Sequence, residues 1–176
     1  MADSDGDIGH LMRGDGRAVT PGDIGEGRPL AGLPFSKALG MRLHAAADGV
    51  AILSVAYRPD LVGDPDSAVL HGGVVTALLD TACGSAVMAA PVRLRTTATL
   101  DLRIDYMRPA RAGARVIARA QCYRLTRAIA FARAVAYHED AEGGAQAGTD
   151  GRAGEGGEIV ASAQGSFIIE RAEKGR

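Results

Sequence analysis

The feature of this sequence that most constrains its fold is a long apolar stretch, from Val74 to Ala90, that contains one charged residue, Asp80. Gly72-Gly73 precede this stretch and Pro91 follows it, in agreement with the rules for the start and end of a helix. The stretch is marginal in length for a membrane span and contains a carboxylate, so a buried helix is the better interpretation. A helix that is apolar almost all round must be covered on most sides.

Segments with strand character lie on both sides of this helix. Asp48-Gly49 is a strong signal for a two-residue hairpin turn between strands at 41–44 and 50–57, after a short helix near 34–39. A loop is expected over 58–70, and four strands follow the long helix: Thr99–Met107, Arg115–Tyr123, Ala128–Tyr137 and Ile159–Ile169. This order predicts an α+β fold in which a curved antiparallel sheet wraps round one long central helix.

The strand at 99–107 has the clearest period-2 pattern. Its apolar face consists of Leu100, Leu102, Ile104 and Tyr106, and its charged face of Asp101, Arg103 and Asp105. The other strands have less regular alternation, and their limits are set mainly by the turns between them.

The chain has 176 residues, which is enough for one domain with a sizeable core and too few for two ordinary ones. Residues 1–30 are rich in Gly and Asp without apolar periodicity, so we expect a flexible N-terminal arm before a single domain at 31–172. Residues 140–158 are Gly-rich and lie between two predicted strands, and a long surface loop is expected there.

Charge and cysteine content argue against several classes of function. The formal net charge is −1 and the pI about 6.4, so nucleic acid and anionic membranes are not expected partners. Cys83 and Cys122 are far apart and form no C-x-x-C pair, which argues against a disulfide framework or a zinc site. The N-terminus is acidic and lacks an apolar stretch, so no secretory signal is expected and the cytoplasm is the default location.

A carboxylate inside an apolar helix requires an explanation, because burying it costs several kcal/mol unless it is paired or hydrogen-bonded. Thr76 and Gly84 lie one turn before and after Asp80 on the same helix face, and both are small or polar. A cleft there would suit a general base or a nucleophile. The alternative is an Asp80 that faces solvent or accepts hydrogen bonds from the N–H groups of a neighbouring strand.

The segment His71-Gly72-Gly73 lies at the predicted start of the helix. Glycines allow a ligand to approach the backbone closely, and the first N–H groups of a helix have no partner within it. Such a terminus stabilises negative charge, as an oxyanion hole must. The alternative is an ordinary glycine-rich helix cap in which His71 has a structural role.

Two longer segments extend these observations into a family resemblance. Residues 69–84, with His-Gly-Gly followed on the helix by Asp80, resemble the signature of the hotdog-fold acyl-CoA thioesterases of the phenylacetate-degradation (PaaI-like) group. Residues 98–110 resemble the central strand of that family and its Arg-Pro-Ala exit, and strands near 118–123 and 130–137 resemble it more weakly. Together these segments span most of residues 35–170.

The resemblance implies a role for each matching residue. The Gly72 N–H would polarise the thioester carbonyl, with His71 and Gly73 beside it, and Asp80 would activate water or attack the acyl carbon. Thr99 matches a position where a hydroxyl orients water. The implied substrate-binding residues are Asp64, Thr76, Gly84, Arg124, Thr126 and Arg127. Arg124 and Arg127 are candidate phosphate ligands in a turn that contacts coenzyme A in relatives, although a solvated turn is the alternative.

One departure from the family pattern lies upstream of His71. Relatives place an Asn or Gln there, whereas this chain has none, and Asp64 is the candidate to replace it. A carboxylate at neutral pH accepts hydrogen bonds but cannot donate one as an amide does. The upstream helper, and the choice between nucleophile and general base for Asp80, therefore stay open.

The resemblance further implies hydrolysis of an acyl-CoA thioester, without a metal or redox cofactor, by a homodimer that joins its sheets and could pair again into a dimer of dimers. The family's sites lie between subunits, so Asp80 and Gly72 could come from opposite chains. Two alternatives stay open: a non-catalytic acyl-CoA-binding protein, and a hotdog dehydratase or hydratase. The latter is disfavoured because the chain has no His-Phe-Pro-Gly type segment.

Overall fold

The computed structural model of the chain describes residues 27–30, 32–138 and 159–172. The expected glycine-rich loop at 140–158 and most of the expected N-terminal arm lie outside these ranges. Two helices occur within them, α1 (Pro34–Ala38) and α2 (Gly72–Met88). The strands are β1 (Arg28–Pro29), β2 (Arg42–Ala47), β3 (Val50–Val55), β4 (Val62–Asp64), β5 (Val69–Leu70), β6 (Leu94–Tyr106), β7 (Val116–Leu125), β8 (Ile129–His138) and β9 (Ile159–Arg171).

Seven of these strands form one antiparallel sheet in the order β1-β2-β3-β7-β8-β9-β6, and β4 and β5 form a small hairpin of their own. Helix α2 packs against this sheet, mainly against β3, β7, β8 and β6. The predicted α+β architecture, with an antiparallel sheet and one long helix packed on it, is therefore confirmed. Arg28 and Pro29 pair with β2, so the sheet begins inside the segment that was expected to be a flexible arm.

Helix α2 begins at Gly72 and ends at Met88, in agreement with the limits predicted from Gly72-Gly73 and Pro91. Its buried residues are Val74, Val75, Leu78, Leu79, Ala82, Cys83, Ala86 and Val87. They meet an apolar core from the sheet that includes Leu53, Val116 and Phe167. Thr76, Asp80 and Gly84 lie on the remaining, only partly buried face. No helix in the described part of the chain is long and apolar enough to cross a membrane.

The predicted hairpin turn at Asp48-Gly49 joins β2 and β3. Both residues have positive φ, 50° and 79°, as a type I′ turn requires. The Gly49 N–H donates to the Ala89 carbonyl at 2.8 Å, and the Gly49 carbonyl accepts from the Cys122 N–H at 2.7 Å. The turn thus ties the C-terminal end of α2 to β7.

Strand β6 departs from its prediction in length and in the alternation of its faces. It begins at Leu94, before the expected start at Thr99. A β-bulge leaves Leu100 without a partner between the pairs Thr99–Phe167 and Asp101–Ser166. Because one extra residue reverses the alternation, Leu100 is 56% exposed and does not share the buried face with Leu102.

The expected loop at 58–70 contains more structure than predicted, namely a short 3-10 turn at Pro59–Leu61 and the β4–β5 hairpin. The His71 N–H donates to the Leu61 carbonyl and the Leu70 N–H to the Ala110 carbonyl, at 2.9 and 3.0 Å. Ala68 in this hairpin has φ 54°, a left-handed conformation that costs an alanine energy. The segment before α2 is therefore held at several backbone positions.

Candidate active site

The N-terminus of α2 is capped by a side chain that the sequence pattern also linked to chemistry. His71 is the N-cap residue, and its Nδ1 accepts a hydrogen bond from the Gly73 N–H at 2.9 Å. The His71 carbonyl accepts from the Val74 N–H at 2.9 Å. Among the described residues the Gly72 N–H has no acceptor, and Gly72 is exposed. Gly72 therefore offers a backbone donor at the positive end of the helix dipole, whereas the Gly73 donor is occupied.

Two hydroxyl groups hold the carbonyl of Gly72. Tyr106 on β6 donates to it at 3.0 Å, and Thr76, one turn along the helix, donates to it at 3.1 Å. The two hydroxyls also contact each other. Since Gly73 N–H and Gly72 carbonyl belong to the same peptide unit, the His71 ring, Thr76 and Tyr106 together fix its orientation. The period-2 pattern does not reveal this role of Tyr106, because it places the side chain only in an apolar row.

Asp80 and Thr99 form the second part of the site. The Thr99 hydroxyl donates to Oδ1 of Asp80 at 2.8 Å. Asp80 is partly buried, and a side chain built at Gly84, one turn further along, would meet nothing within 4 Å. The structure therefore brings together Asp80 and Thr99, two of the residues that the family resemblance implied, with open space beside the carboxylate. The donor from β6 is a side-chain hydroxyl and not a backbone N–H group of the strand.

Gly72 and Asp80 do not meet within one chain. They are eight positions apart on α2, which corresponds to about 12 Å along a helix axis. A hydrogen-bond donor to a carbonyl oxygen and a base or nucleophile for the same carbonyl must lie within roughly 3 Å of their targets. One copy of the chain therefore cannot place both groups on one thioester.

A surface cavity of about 390 Å³ lies beside the helix N-terminus. Its walls are formed by Leu70, Gly72, Val75, Tyr106, Met107, Arg108, Pro109, Ala110 and Val160. Most of these side chains are apolar. The cavity adjoins Gly72 but not Asp80, which agrees with the separation of the two groups along α2.

Asp64 is engaged in its own turn. Its carboxylate accepts from the Asp66 N–H at 3.1 Å and from the Ser67 hydroxyl. The Ser67 hydroxyl, and then the Asp66 N–H, lower the pKa of this exposed carboxyl group. Both oxygens are thus used within the β4–β5 hairpin, and the structure shows no contact between Asp64 and Asp80.

The predicted coenzyme A turn lies at the opposite end of α2 from Gly72. Thr126 closes the β7–β8 turn through hydrogen bonds with Ile129 at 2.8 and 3.0 Å, and Arg124 and Arg127 are exposed. The contacts of Gly49 place this end of β7 near the last turn of the helix. These residues are therefore brought together with one another, but not with Gly72 of the same chain.

Cys83 follows Asp80 on the buried side of the helix. Burial, and to a smaller extent the Asp80 carboxylate and Cys122, raise the pKa of its thiol to about 12. Such a thiol is protonated at neutral pH and is a poor nucleophile or metal ligand. Within the described residues there is no cluster of His, Cys, Asp or Glu side chains that could hold a metal ion.

Comparisons with known proteins show which family the chain resembles. Residues 68–145 match a family model described as "Thioesterase superfamily". The chain is 33% identical over 121 residues to the medium/long-chain acyl-CoA thioesterase YigI of Escherichia coli (strain K12), an alignment that covers 61% of this chain and 77% of YigI.

Solved structures extend the similarity to most of the fold. A mutant of the phenylacetic acid degradation protein PaaI from Thermus thermophilus superposes with a TM-score of 0.61 and 30% identity, over 77% of this chain and 98% of PaaI. A thioesterase family protein from Silicibacter pomeroyi superposes with a TM-score of 0.64 and 23% identity, over 81% and 93% of the two chains, which supports the fold alone.

Proposed function

The chain belongs to the thioesterase superfamily, as a PaaI-like hotdog protein, and on this premise we propose that it hydrolyses an acyl-CoA thioester to a free carboxylic acid and coenzyme A. The observation that carries the proposal is the Asp80 carboxylate, which lies on the open face of an otherwise apolar helix and accepts a 2.8 Å hydrogen bond from Thr99. A partly buried carboxylate with open space beside it is suited to general-base or nucleophilic catalysis.

The active unit is a homodimer in which Gly72 of one subunit faces Asp80 of the other. The separation of about 12 Å within one chain supports this arrangement, because a thioester cannot span it. Strand β6 supports it as well, since it is a long edge strand that pairs only with β9 among the described residues. Edge strands present unpaired backbone groups that can join a second sheet. A further pairing of dimers into a tetramer is part of the same proposal.

The chemistry follows from these two groups. The Gly72 N–H donates to the thioester oxygen as it becomes negatively charged, and one such donor typically lowers the barrier by about 2.7–4 kcal/mol. Thr99 occupies Oδ1 of Asp80 and leaves Oδ2 to accept a proton from water. Water adds to the acyl carbon, the carbon–sulfur bond breaks, and the coenzyme A thiolate leaves and is protonated. Direct attack by Asp80, which forms an acyl–aspartyl anhydride that water then hydrolyses, is the alternative. A single turnover in ¹⁸O-water that labels the Asp80 carboxylate would establish it, because general-base catalysis puts the label only in the product acid.

The substrate is an acyl-CoA, and the name of YigI makes medium-chain and long-chain acyl groups the first to test. The apolar cavity beside Gly72 and the open space at Gly84 supply room for substrate near the two ends of the helix. Arg124 and Arg127, exposed in the turn closed by Thr126, would contact phosphate groups of coenzyme A. We propose no metal or redox cofactor and a cytoplasmic location.

Thiol release from a panel of acyl-CoA substrates tests the proposal. Turnover that depends on the acyl group supports it. Tight binding of coenzyme A without thiol release from any member would instead favour a non-catalytic acyl-CoA-binding protein.

Mixed dimers test the shared site. In this proposal Asp80→Asn and Gly72→Pro each lower the activity of their homodimers by about a hundredfold or more, yet the heterodimer of the two subunits contains one complete site. Recovery of activity on mixing the subunits supports the two-chain site, and inactive mixtures of verified heterodimers would contradict it.

A further inference from the structure

The β-bulge in β6 decides which side chains of this strand face the helix. Thr99 is opposite Phe167, a buried core residue, so Thr99 faces the helix. Leu102 is opposite Gly165 and packs against the same core. In a regular strand two residues three positions apart point to opposite faces. The unpaired Leu100 between them is what allows both to face α2.

Gly165 on β9 is paired with Leu102, two residues after the unpaired Leu100, where the two strands leave no room for a side chain. A Cβ atom at Gly165 would lie 2.7 Å from the backbone carbonyl oxygen of Asp101 and 2.9 Å from a methyl group of Leu102. Real Cβ atoms essentially never approach backbone this closely, and a backbone carbonyl cannot rotate away as a side chain can. The bulge in its present form therefore requires glycine at position 165.

We propose that Gly165 is a positioning residue for catalysis, which acts by accommodating the bulge that holds the Thr99 hydroxyl on Asp80. This inference rests on the proposed function of Asp80 and assigns a residue of β9 to the positioning of that carboxylate. The side chain of any other residue at 165 pushes the Asp101 carbonyl away, and the displacement passes along β6 to Thr99. The 2.8 Å bond to Asp80 is then lost although neither of its partners has changed.

A kinetic double-mutant cycle tests this inference. Thr99→Val removes the hydroxyl, and we expect kcat to fall by about tenfold or more, as for a hydrogen bond to a charged group. Gly165→Ala should lower kcat by a similar factor with a smaller change in KM. In the Thr99→Val background Gly165→Ala should cost less than about twofold, because the bond it disturbs is already absent. Independent, multiplicative losses would overturn the proposal.

Ala163→Gly is the matched control for stability. Ala163 is buried on the same face of β9, opposite Ile104 and away from the bulge. Its substitution should lower the melting temperature and leave kcat unchanged. A kcat loss in this variant as large as that of Gly165→Ala would show that any destabilisation of β9 is enough, and would contradict a positioning role.

A deletion keeps the inference testable if Gly165→Ala does not fold, or if the wild type releases no thiol. Without Leu100, Thr99, Asp101 and Leu102 can keep their present partners Phe167, Ser166 and Gly165 on β9. The pairing of β6 with β9 then has no bulge at this point. We therefore expect the chain without Leu100 to fold, and Gly165→Ala to reduce its melting temperature much less than that of the full chain. Equal reductions would refute the role of Gly165 in the bulge, whereas absence of thiol release alone refutes only the proposed function.

Discussion

Replacing Gly72 by proline removes the backbone hydrogen-bond donor at this position and puts the ring Cδ in the place of its hydrogen. Proline has no N–H, and the first position of a helix is where it is best tolerated. Gly72 occupies this position, and the preceding His71 has φ −60° and ψ 132°, the extended conformation that a residue before proline prefers. A Cβ atom at Gly72 would make only ordinary contacts, the nearest at 3.7 Å from the Tyr106 hydroxyl.

The expected effect of Gly72→Pro is therefore catalytic rather than structural. Loss of a single oxyanion donor typically lowers kcat by about 10²–10³, while the helix keeps its cap and its packing. The assay is thiol release from the best acyl-CoA substrate, with the melting temperature recorded for each variant. Gly72→Ala, which keeps the N–H, is the matched control and should retain most of its activity. A folded Gly72→Pro variant with wild-type kcat would refute the role of this N–H group.

Four further predictions concern the surroundings of the site. His71→Ala should lower the free energy of unfolding by about 1 kcal/mol because the helix cap is lost, whereas His71→Asn, which can still cap the helix, should retain most of the stability. Urea denaturation of both variants measures this, and equal losses in the two would show that the His71 ring does not act as a cap. Ala68→Gly should stabilise the protein by about 0.5–1 kcal/mol by removing a left-handed alanine, and an unchanged or lower melting temperature would contradict the assigned backbone conformation. Tyr106→Phe should lower kcat several-fold while Thr76 preserves the helix start, and unaltered kinetics would show that the Gly72 carbonyl needs no second donor. Because burial raises the pKa of the Cys83 thiol from 9.0 to about 12, its alkylation in the native protein should stay slow from pH 7 through pH 10 and become fast on unfolding. Rapid alkylation of the native protein at pH 8 would show that the thiol is not buried.

The helix and the hairpin were predictable because their signals are local. The glycines and the proline mark both ends of α2, and Asp48-Gly49 have the two positive φ angles that the turn needs. Asp80 stands out by itself, since a carboxylate in an apolar helix must find a partner. The family resemblance then identified Thr99 as a residue to expect near it.

The bulge was not predictable in the same way. The row from Leu100 to Tyr106 alternates regularly, and nothing within β6 indicates that Leu100 is an extra residue. The fit depends on Gly165 of another strand, and pairing between strands distant in sequence leaves no local pattern. For a similar reason the contact of Tyr106 with the helix start, and the capture of Asp64 within its own turn, became visible only in three dimensions.

The proposed acyl-CoA hydrolysis depends on the Asp80 carboxylate, and the amide variant of this residue gives the sharpest test. Asp80→Asn keeps the size and shape of the side chain and removes its ability to accept a proton or attack a carbon. Asp101→Asn on the outward side of β6 is the matched control, since this exposed carboxylate has no part in the site. We expect thiol release from acyl-CoA to fall by at least about a hundredfold in the folded Asp80→Asn variant and to stay unchanged in Asp101→Asn. A folded Asp80→Asn variant that releases thiol at the wild-type rate would contradict the catalytic role of Asp80.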